Sequence, residues 1–187
     1  MIFMTCTRRI ILCLWVSCHI FFTVSCLGGG IDKTGTVSHY HEGKVKTHGG
    51  GLFAIGVLPK NWQQKKIKER AILFLNKDDG ASITVSSWCK SAFDDSPLLT
   101  LSDQLLLGIT DIKRLETVQQ SIAGRDALQT SVTGLAEGAP VYLRSYVMKS
   151  NGCVFDFLYV ATPHVFDSVV DFDQMVQNFD YLQDPKS

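Results

Sequence analysis

The dipeptide Asn151-Gly152 is the sequence feature that most constrains how this chain can fold. Both central residues of a type I′ turn need a positive φ, and Asn-Gly adopts that conformation readily. Two runs that are typical of strands, Ala139–Lys149 and Cys153–Ala161, flank the dipeptide. The sequence therefore predicts a two-residue hairpin in which Ser150 faces Cys153.

This register decides which side chains share a face of the hairpin. Aromatic and sulfur-containing side chains meet on one face, a pairing that stabilises neighbouring strands. The predicted pairs on that face are Met148 with Phe155, Tyr146 with Phe157, and Arg144 with Tyr159. Asp156 lies on the opposite face from Arg144, so the two cannot pair directly. We expect Asp156 either to face solvent or to lie near a functional cleft.

The remaining periodicity predicts further strands and two helices. Together they indicate an α+β fold, with a twisted, mostly antiparallel sheet of about six to seven strands flanked by two helices. The predicted elements are a strand from Leu52, a turn over 59–62, a hairpin of Ile67–Lys77 and Ala81–Trp88, a helix capped by Ser96 and ended near Gly108, strands Ile112–Ile122 and Asp126–Leu135, and a helix starting at Thr162-Pro163.

A short apolar segment near the N-terminus ends at Cys26. Arg8 and Arg9 precede the run Ile10–Phe22, which no Asp, Glu, Lys or Arg interrupts. A helix of that length rises about 20 Å, whereas the hydrocarbon core of a bilayer is about 30 Å thick. With Ser25 before the cysteine, the segment resembles the signal peptide and lipobox of a bacterial lipoprotein, although Thr23 stands where Leu is usual.

That resemblance implies removal of residues 1–25 and transfer of a thioether-linked diacylglycerol to Cys26. Two or three acyl chains, at about 0.8 kcal/mol per buried methylene, hold a protein stably on a membrane. Leu27 follows the cysteine where proteins retained at the inner membrane have Asp, which favours an outer membrane location facing the periplasm. An ordinary cleaved signal peptide and an uncleaved anchor remain open alternatives.

Cleavage would leave 162 residues, enough for one domain with a substantial core. The leader holds two of the 18 basic residues, so the mature chain carries 16 basic and 18 acidic groups. This balance gives no electrostatic footprint for nucleic acid, and we expect no nucleic-acid partner. The predicted organisation is a signal peptide over 1–25, a lipidated tether over 26–51, one domain over 52–182 and a tail over 183–187.

Only Cys89 and Cys153 lie beyond the lipidation site, because Cys6, Cys13 and Cys18 fall within the leader. An even pair in an exported protein suggests a disulfide. Two free buried thiols are the alternative. A zinc site is not indicated, because no further ligands accompany the pair at suitable spacing.

Residues 27–51 are rich in Gly, Thr, Ser, Lys and His, which is typical of a flexible linker. This segment contains the one cluster that suggests a metal, namely His39, His41, Glu42 and His48. Its spacing matches no known ligand pattern, and ordering a flexible segment costs entropy. A solvated linker is the favoured interpretation, with weak metal binding as the alternative.

The order of elements resembles the PsbP-like fold. The segments that support the resemblance are Leu58–Trp62, Ala81–Ser86, Gly124–Ala127 and Asp171–Phe179. The fold is shared by the photosystem II protein PsbP, a Ran-binding nuclear-transport factor and small envelope lipoproteins of the DcrB type. The resemblance implies binding rather than catalysis, and it supplies no binding residues because a fold does not transfer function.

We therefore expect a non-catalytic, membrane-anchored lipoprotein whose domain recruits a protein partner in the cell envelope. The sequence has no Gly-x-Ser-x-Gly, no His-Glu-x-x-His and no phosphate-binding glycine loop, and we expect no cofactor. Cys89 with His164 as base is the remaining catalytic candidate. A carrier of a small ligand or metal is the second alternative, favoured if Trp62, Trp88 and Tyr146 line one cleft.

Overall fold

The computed structural model describes residues 36–67, 71–89, 96–150, 152–164 and 167–183, which all belong to one compact unit. Cys26 and the expected signal peptide lie outside the described residues. Within the described ranges, no helix combines the length and the apolar character needed to cross a membrane.

The described chain contains eleven strands and two helices. Those before the first helix are β1 (Val37–His41), β2 (Lys44–Thr47), β3 (Leu52–Ala54), β4 (Trp62–Lys65), β5 (Ala71–Asn76) and β6 (Ser82–Cys89). They are followed by α1 (Leu98–Gln104), β7 (Ile109–Ile122), β8 (Arg125–Ala136), β9 (Ala139–Ser150), β10 (Cys153–Ala161), α2 (Val169–Gln177) and β11 (Asp180–Gln183).

The strands form two antiparallel sheets. One has seven strands in the order β4-β5-β6-β10-β9-β8-β7, and the other has four in the order β1-β2-β3-β11. Sequential strands β7 to β10 are neighbours, as expected for strands joined by short turns. The α+β class and the seven-stranded sheet with two helices confirm the prediction, whereas the four-stranded sheet is additional.

The predicted hairpin register around Gly152 is confirmed at every pair. Ser150 faces Cys153, Met148 faces Phe155, and Tyr146 faces Phe157. Gly152 has a φ of +71°, as a type I′ turn requires, while Asn151 lies outside the described residues.

One face of the seven-stranded sheet, called the inner face here, carries the main core. Phe155, Phe157 and Tyr159 of β10 are buried there, and Phe53 of β3 meets Phe155 edge-to-face with ring centroids 5.1 Å apart. Phe172 of α2 packs over the same face, with its ring centroid 5.6 Å from that of Tyr159. Each such aromatic contributes about 1.5–3 kcal/mol by leaving water, so β10 holds α2 and the four-stranded sheet in place.

The expected tether over 26–51 ends earlier than predicted, because β1 and β2 form a hairpin within it. Val37, Val45 and Thr47 point into the core and are buried, and Tyr40 packs edge-on against Phe74, whereas the histidines and lysines of the two strands are exposed. The sequence interpretation counted the polar residues and missed that apolar ones alternate with them. The first strand therefore begins at Val37, fifteen residues nearer to Cys26 than the predicted domain start, Leu52.

Both helices begin later than predicted. The N-cap of α1 is Pro97 rather than Ser96, and α2 starts at Val169 rather than after Thr162-Pro163. Ser168 and Asp171 have the spacing of a capping pair, yet neither side chain caps the helix. The Ser168 hydroxyl lies 2.7 Å from that of Tyr159, and Asp171 accepts a hydrogen bond from Trp62 Nε1 at 2.9 Å. The chain beyond Phe179 adds β11, which pairs with β3 and was not predicted. The tail expected to fray after Leu182 lies outside the described residues from position 184 onwards.

Candidate functional site

The two faces of the seven-stranded sheet are covered unequally. On the outer face, α1 lies over β8 and β9. Leu101 of α1 packs with Val147 and Val154, and the Ser102 hydroxyl donates to Thr130 Oγ1 at 3.0 Å. The other half of the outer face lies on β5, β6 and β10, and its residues stay partly exposed.

This partly exposed half of the sheet, called the open face here, is built from alternate residues of three strands in register. Leucine, alanine, valine and tryptophan side chains surround a stripe of hydroxyl groups on β6. Its members are Ala71, Leu73 and Leu75 of β5, Ser82, Thr84, Ser86 and Trp88 of β6, and Asp156, Leu158 and Val160 of β10. Of these residue types, tryptophan is enriched at protein interfaces, whereas serine and alanine are depleted there.

Asp156 is the only carboxylate among these ten residues. It faces Ser86 of β6 on one side and Val147 of β9 on the other. Burial raises the pKa of Asp156 to about 7, and the hydrogen bond with the Ser86 side chain opposes that rise. Arg144 lies on the inner face, as predicted, so it offers Asp156 no partner. Burial thus favours the neutral form of this carboxyl.

Cys89 and Cys153 are bonded to one another, as predicted. They face each other across β6 and β10, with Cα atoms 3.9 Å apart, and Cys153 is buried. A disulfide sulfur carries no thiolate, so the pairing of Cys89 with His164 as nucleophile and base does not form.

The members of the histidine cluster lie on β1, in the turn after it and just after β2. His39 and His41 point outwards from β1, and His48 follows β2 with its amide bonded to Thr36. Glu42 lies 3.8 Å from His41 in a fully solvated pair. Among the described residues, no group of three His, Cys, Asp or Glu side chains could hold a metal ion. Lys46 and Lys44 face the two outward histidines across the β1–β2 ladder and repel a cation there.

The cleft expected from Trp62, Trp88 and Tyr146 is not formed. Trp62 and Tyr146 lie on the inner face, where Trp62 contacts Tyr159 and Tyr146 contacts Phe172. Trp88 faces Val154 across the β6–β10 ladder and therefore points to the outer face. The alternation of side chains along each strand separates them, which the sequence pattern of β6 already indicated.

A polar cluster instead ties α2 to the inner face. Arg144 Nη1 lies 2.6 Å from Asp173 Oδ2, and the Tyr146 hydroxyl donates to Asp173 Oδ1 at 2.9 Å. Burial, together with the nearby Asp173 carboxylate, raises the pKa of Tyr146, so its hydroxyl remains a donor. The Arg144 Nε also donates to Ser131 at 3.1 Å. The geometry holds a helix in position and presents no nucleophile to solvent.

A groove of about 420 Å³ separates β1 from β4 and β5. Val37, Tyr40 and Ile72 form its apolar floor, whereas Lys65 and Lys66 lie at its rim. Sequence reasoning missed this site, because it placed β1 in a linker. The alternation of Val37, Tyr40, Val45 and Thr47 with basic residues was the signal that could have revealed it.

Comparisons with known proteins bear on the fold. No protein-family model matches the sequence, and no curated protein matches it significantly. Among solved structures, the chain is similar to cyanobacterial PsbP (CyanoP) from Synechocystis sp. PCC 6803, with 14% identity and a TM-score of 0.52 over 79% of this chain and 93% of that one. It is also similar to LpqN of Mycobacterium tuberculosis, which is involved in cell envelope biogenesis, with 15% identity and a TM-score of 0.51 over 78% of this chain and 88% of LpqN.

A protein from Bacteroides thetaiotaomicron VPI-5482 gives a TM-score of 0.53 at 12% identity, over 72% of this chain. The present chain spans 46% of that protein's length. At sequence identities this low, the similarity shows only that the folds are alike. The domain therefore has a PsbP-like α+β fold, as the resemblance of its elements implied.

Proposed function

We propose that this protein is a bacterial envelope lipoprotein, anchored through Cys26, whose PsbP-like domain binds a protein partner and catalyses no reaction. The apolar run before Cys26 and the small residues that precede the cysteine support the anchor. The envelope role of LpqN, a protein of similar fold, is consistent with that setting. The proposed location is the outer membrane, with the domain in the periplasm.

The open face is the observation that carries the proposal of partner binding. Leu73, Leu75 and Leu158 remain partly exposed on the open face, next to a half of the same sheet that α1 covers. When a partner removes apolar surface of this type from water, the free energy of binding becomes more favourable by about 25 cal/mol per Å². A partner that covers the open face would complete a layer that α1 covers only in part.

The anchor is tested by mass spectrometry of the protein purified from membranes. We expect the mature chain to begin at Cys26 and to carry fatty acyl groups. Cys26→Ala should release the protein from membranes or stall its maturation, and Cys6→Ala is the matched control. An acyl-free chain that retains Met1 would contradict the proposal.

Partner binding is tested by placing a photo-cross-linking residue at Thr84 or Ser86 in intact cells. The same residue at Gln119, exposed on β7, is the control. We expect one defined cross-linked band of constant mass from the open-face positions and none from Gln119. Equal labelling from all three positions would refute the open face as the binding surface.

The groove beside β1 favours a second candidate, a carrier of a small ligand. Its volume of about 420 Å³ lies within the range of small-molecule sites. Native mass spectrometry of the protein purified from cells distinguishes the two functions, because a carrier would retain a small molecule of fixed mass.

A further inference from the structure

Basic residues are concentrated at the N-terminal part of the domain. Residues 36–67 contain five lysines, three of the five histidines and a single carboxylate, Glu42. Residues 71–183 contain seven Lys and Arg against fourteen Asp and Glu. The domain therefore combines a basic segment with a remainder of opposite charge, although the whole chain is neutral.

The fold gathers these basic groups onto one surface. On the outward side of the β1–β2 hairpin, His39 directly faces Lys46, and His41 directly faces Lys44. Basic groups placed opposite one another across a ladder destabilise it when both are charged. Among the described residues of the four-stranded sheet and its turns, the carboxylates are Glu42 in the hairpin turn and Asp180 on β11, where it faces Ala54. This concentration of basic side chains on one face suits an anionic partner outside the chain.

The surface continues from β1 across the groove. His39 and Ser38 line one side of that groove, and Lys65 and Lys66 line the other. We call the set of His39, His41, Lys44, Lys46, Lys65 and Lys66 the basic face. All six residues are exposed.

The basic face lies on the strand that follows the proposed anchor. Ten residues separate Cys26 from Val37, the first residue of β1. Ten residues span at most about 35 Å even when fully extended. A diacylated Cys26 therefore keeps the β1–β2 hairpin within that distance of the lipid headgroups, whatever path the chain takes between them.

We propose that the basic face docks on the anionic phospholipid surface of the membrane that holds Cys26. This inference rests on the proposed lipid anchor and adds a second, electrostatic attachment to it. A lysine close to an anionic membrane contributes about 1 kcal/mol to the free energy of binding, and this contribution fades within a Debye length of the surface. Docking of this kind sets the orientation of the domain through the edge strand β4 and the β1–β2 hairpin, and leaves β6 and β10 of the open face free for a protein.

The test uses the mature protein on vesicles of phosphatidylcholine alone or with phosphatidylglycerol. Bound protein is treated with a membrane-impermeant acetylating reagent, and mass spectrometry follows each lysine. We expect Lys44, Lys46, Lys65 and Lys66 to react at least threefold more slowly on anionic vesicles at low salt. At about 0.5 M NaCl the rates should match those on neutral vesicles. Lys113, exposed on β7, is the internal control.

A variant supplies the second arm. The double variant Lys44→Gln with Lys46→Gln removes two exposed charges. On anionic vesicles, we expect its Lys65 and Lys66 to be acetylated at the rate measured on neutral vesicles. Lys113→Gln should leave the protection intact. Protection that persists in the double variant would overturn the assignment to the hairpin.

Flotation separates this inference from the lipid anchor. Protein that floats with both vesicle types but shows equal lysine rates overturns docking and leaves the anchor in place. Protein that floats only with anionic vesicles, in a salt-sensitive manner, supports docking and refutes the anchor. Protein that floats with neither type overturns both.

Discussion

At the scale of single residues, Asp156 couples the open face to pH. Its carboxyl lies in the sheet with the Ser86 side chain as hydrogen-bond partner, and burial raises its pKa from 3.8 to about 7. Between those values the folded chain holds a proton that the unfolded chain has released. Stability linked to this carboxyl is therefore fully present below about pH 4 and is lost as the pH rises through 7.

Asp156→Asn should remove this pH dependence. The neutral amide keeps the shape of the protonated acid. The variant should therefore match the wild type at about pH 3.5, where the carboxyl is mostly protonated in both the folded and the unfolded chain, and should exceed its stability at pH 8 by roughly 1–3 kcal/mol. Urea unfolding at the two pH values measures the difference. Asp126→Asn, at an exposed position of β8, is the matched control. An equal difference at both pH values would contradict the role of burial.

At the scale of elements, α2 is held by the Asp173 cluster. Asp173→Ala leaves the Arg144 guanidinium, whose side chain is 19% exposed, without its counter-charge. We expect a loss of about 1–3 kcal/mol in the free energy of unfolding. Adding Arg144→Met should recover part of that loss, which a double-mutant cycle quantifies. Asp167→Ala, just before α2, is the control and should change the free energy of unfolding little. Additive effects of Asp173→Ala and Arg144→Met would refute the pairing of Asp173 with Arg144.

Comparison of the predicted and observed helices and strands shows what the sequence could predict. The strands β7 to β10 and the register at Gly152 follow from local turn chemistry and a period of two, so they were predictable. The start of α2 was not, because Ser168 and Asp171 bind Tyr159 and Trp62 rather than the helix end. The β1–β2 hairpin was hidden by its basic outward residues. The open face was unpredictable as well, because it depends on where α1 packs.

At the scale of the whole molecule, the disulfide between Cys89 and Cys153 closes the largest loop. For a separation of 64 residues, the chain-entropy model gives roughly 4 kcal/mol of stabilisation. Cys89→Ala with Cys153→Ala should lower the free energy of unfolding by about that amount. Reduction with dithiothreitol should have a similar effect on the wild type and none on the double variant. A stability unchanged by both treatments would contradict this prediction.

The cysteine pair was predicted from sequence because its members are the only two cysteines beyond Cys26. An even number of cysteines in an exported protein suggests a disulfide. Their placement opposite one another on β6 and β10 needed the structure.

The closed loop also decides how the domain responds to mechanical force. If Cys26 carries the proposed lipid and the open face holds the proposed partner, the domain is pulled between these two points. Because Cys89 is joined covalently to Cys153, tension along the backbone passes directly from β6 to β10 and bypasses α1 and strands β7 to β9. The loop between the two cysteines, more than a third of the domain, is thus not extended by the force until a reductant breaks the disulfide. Only the segments outside this loop can be extended before then.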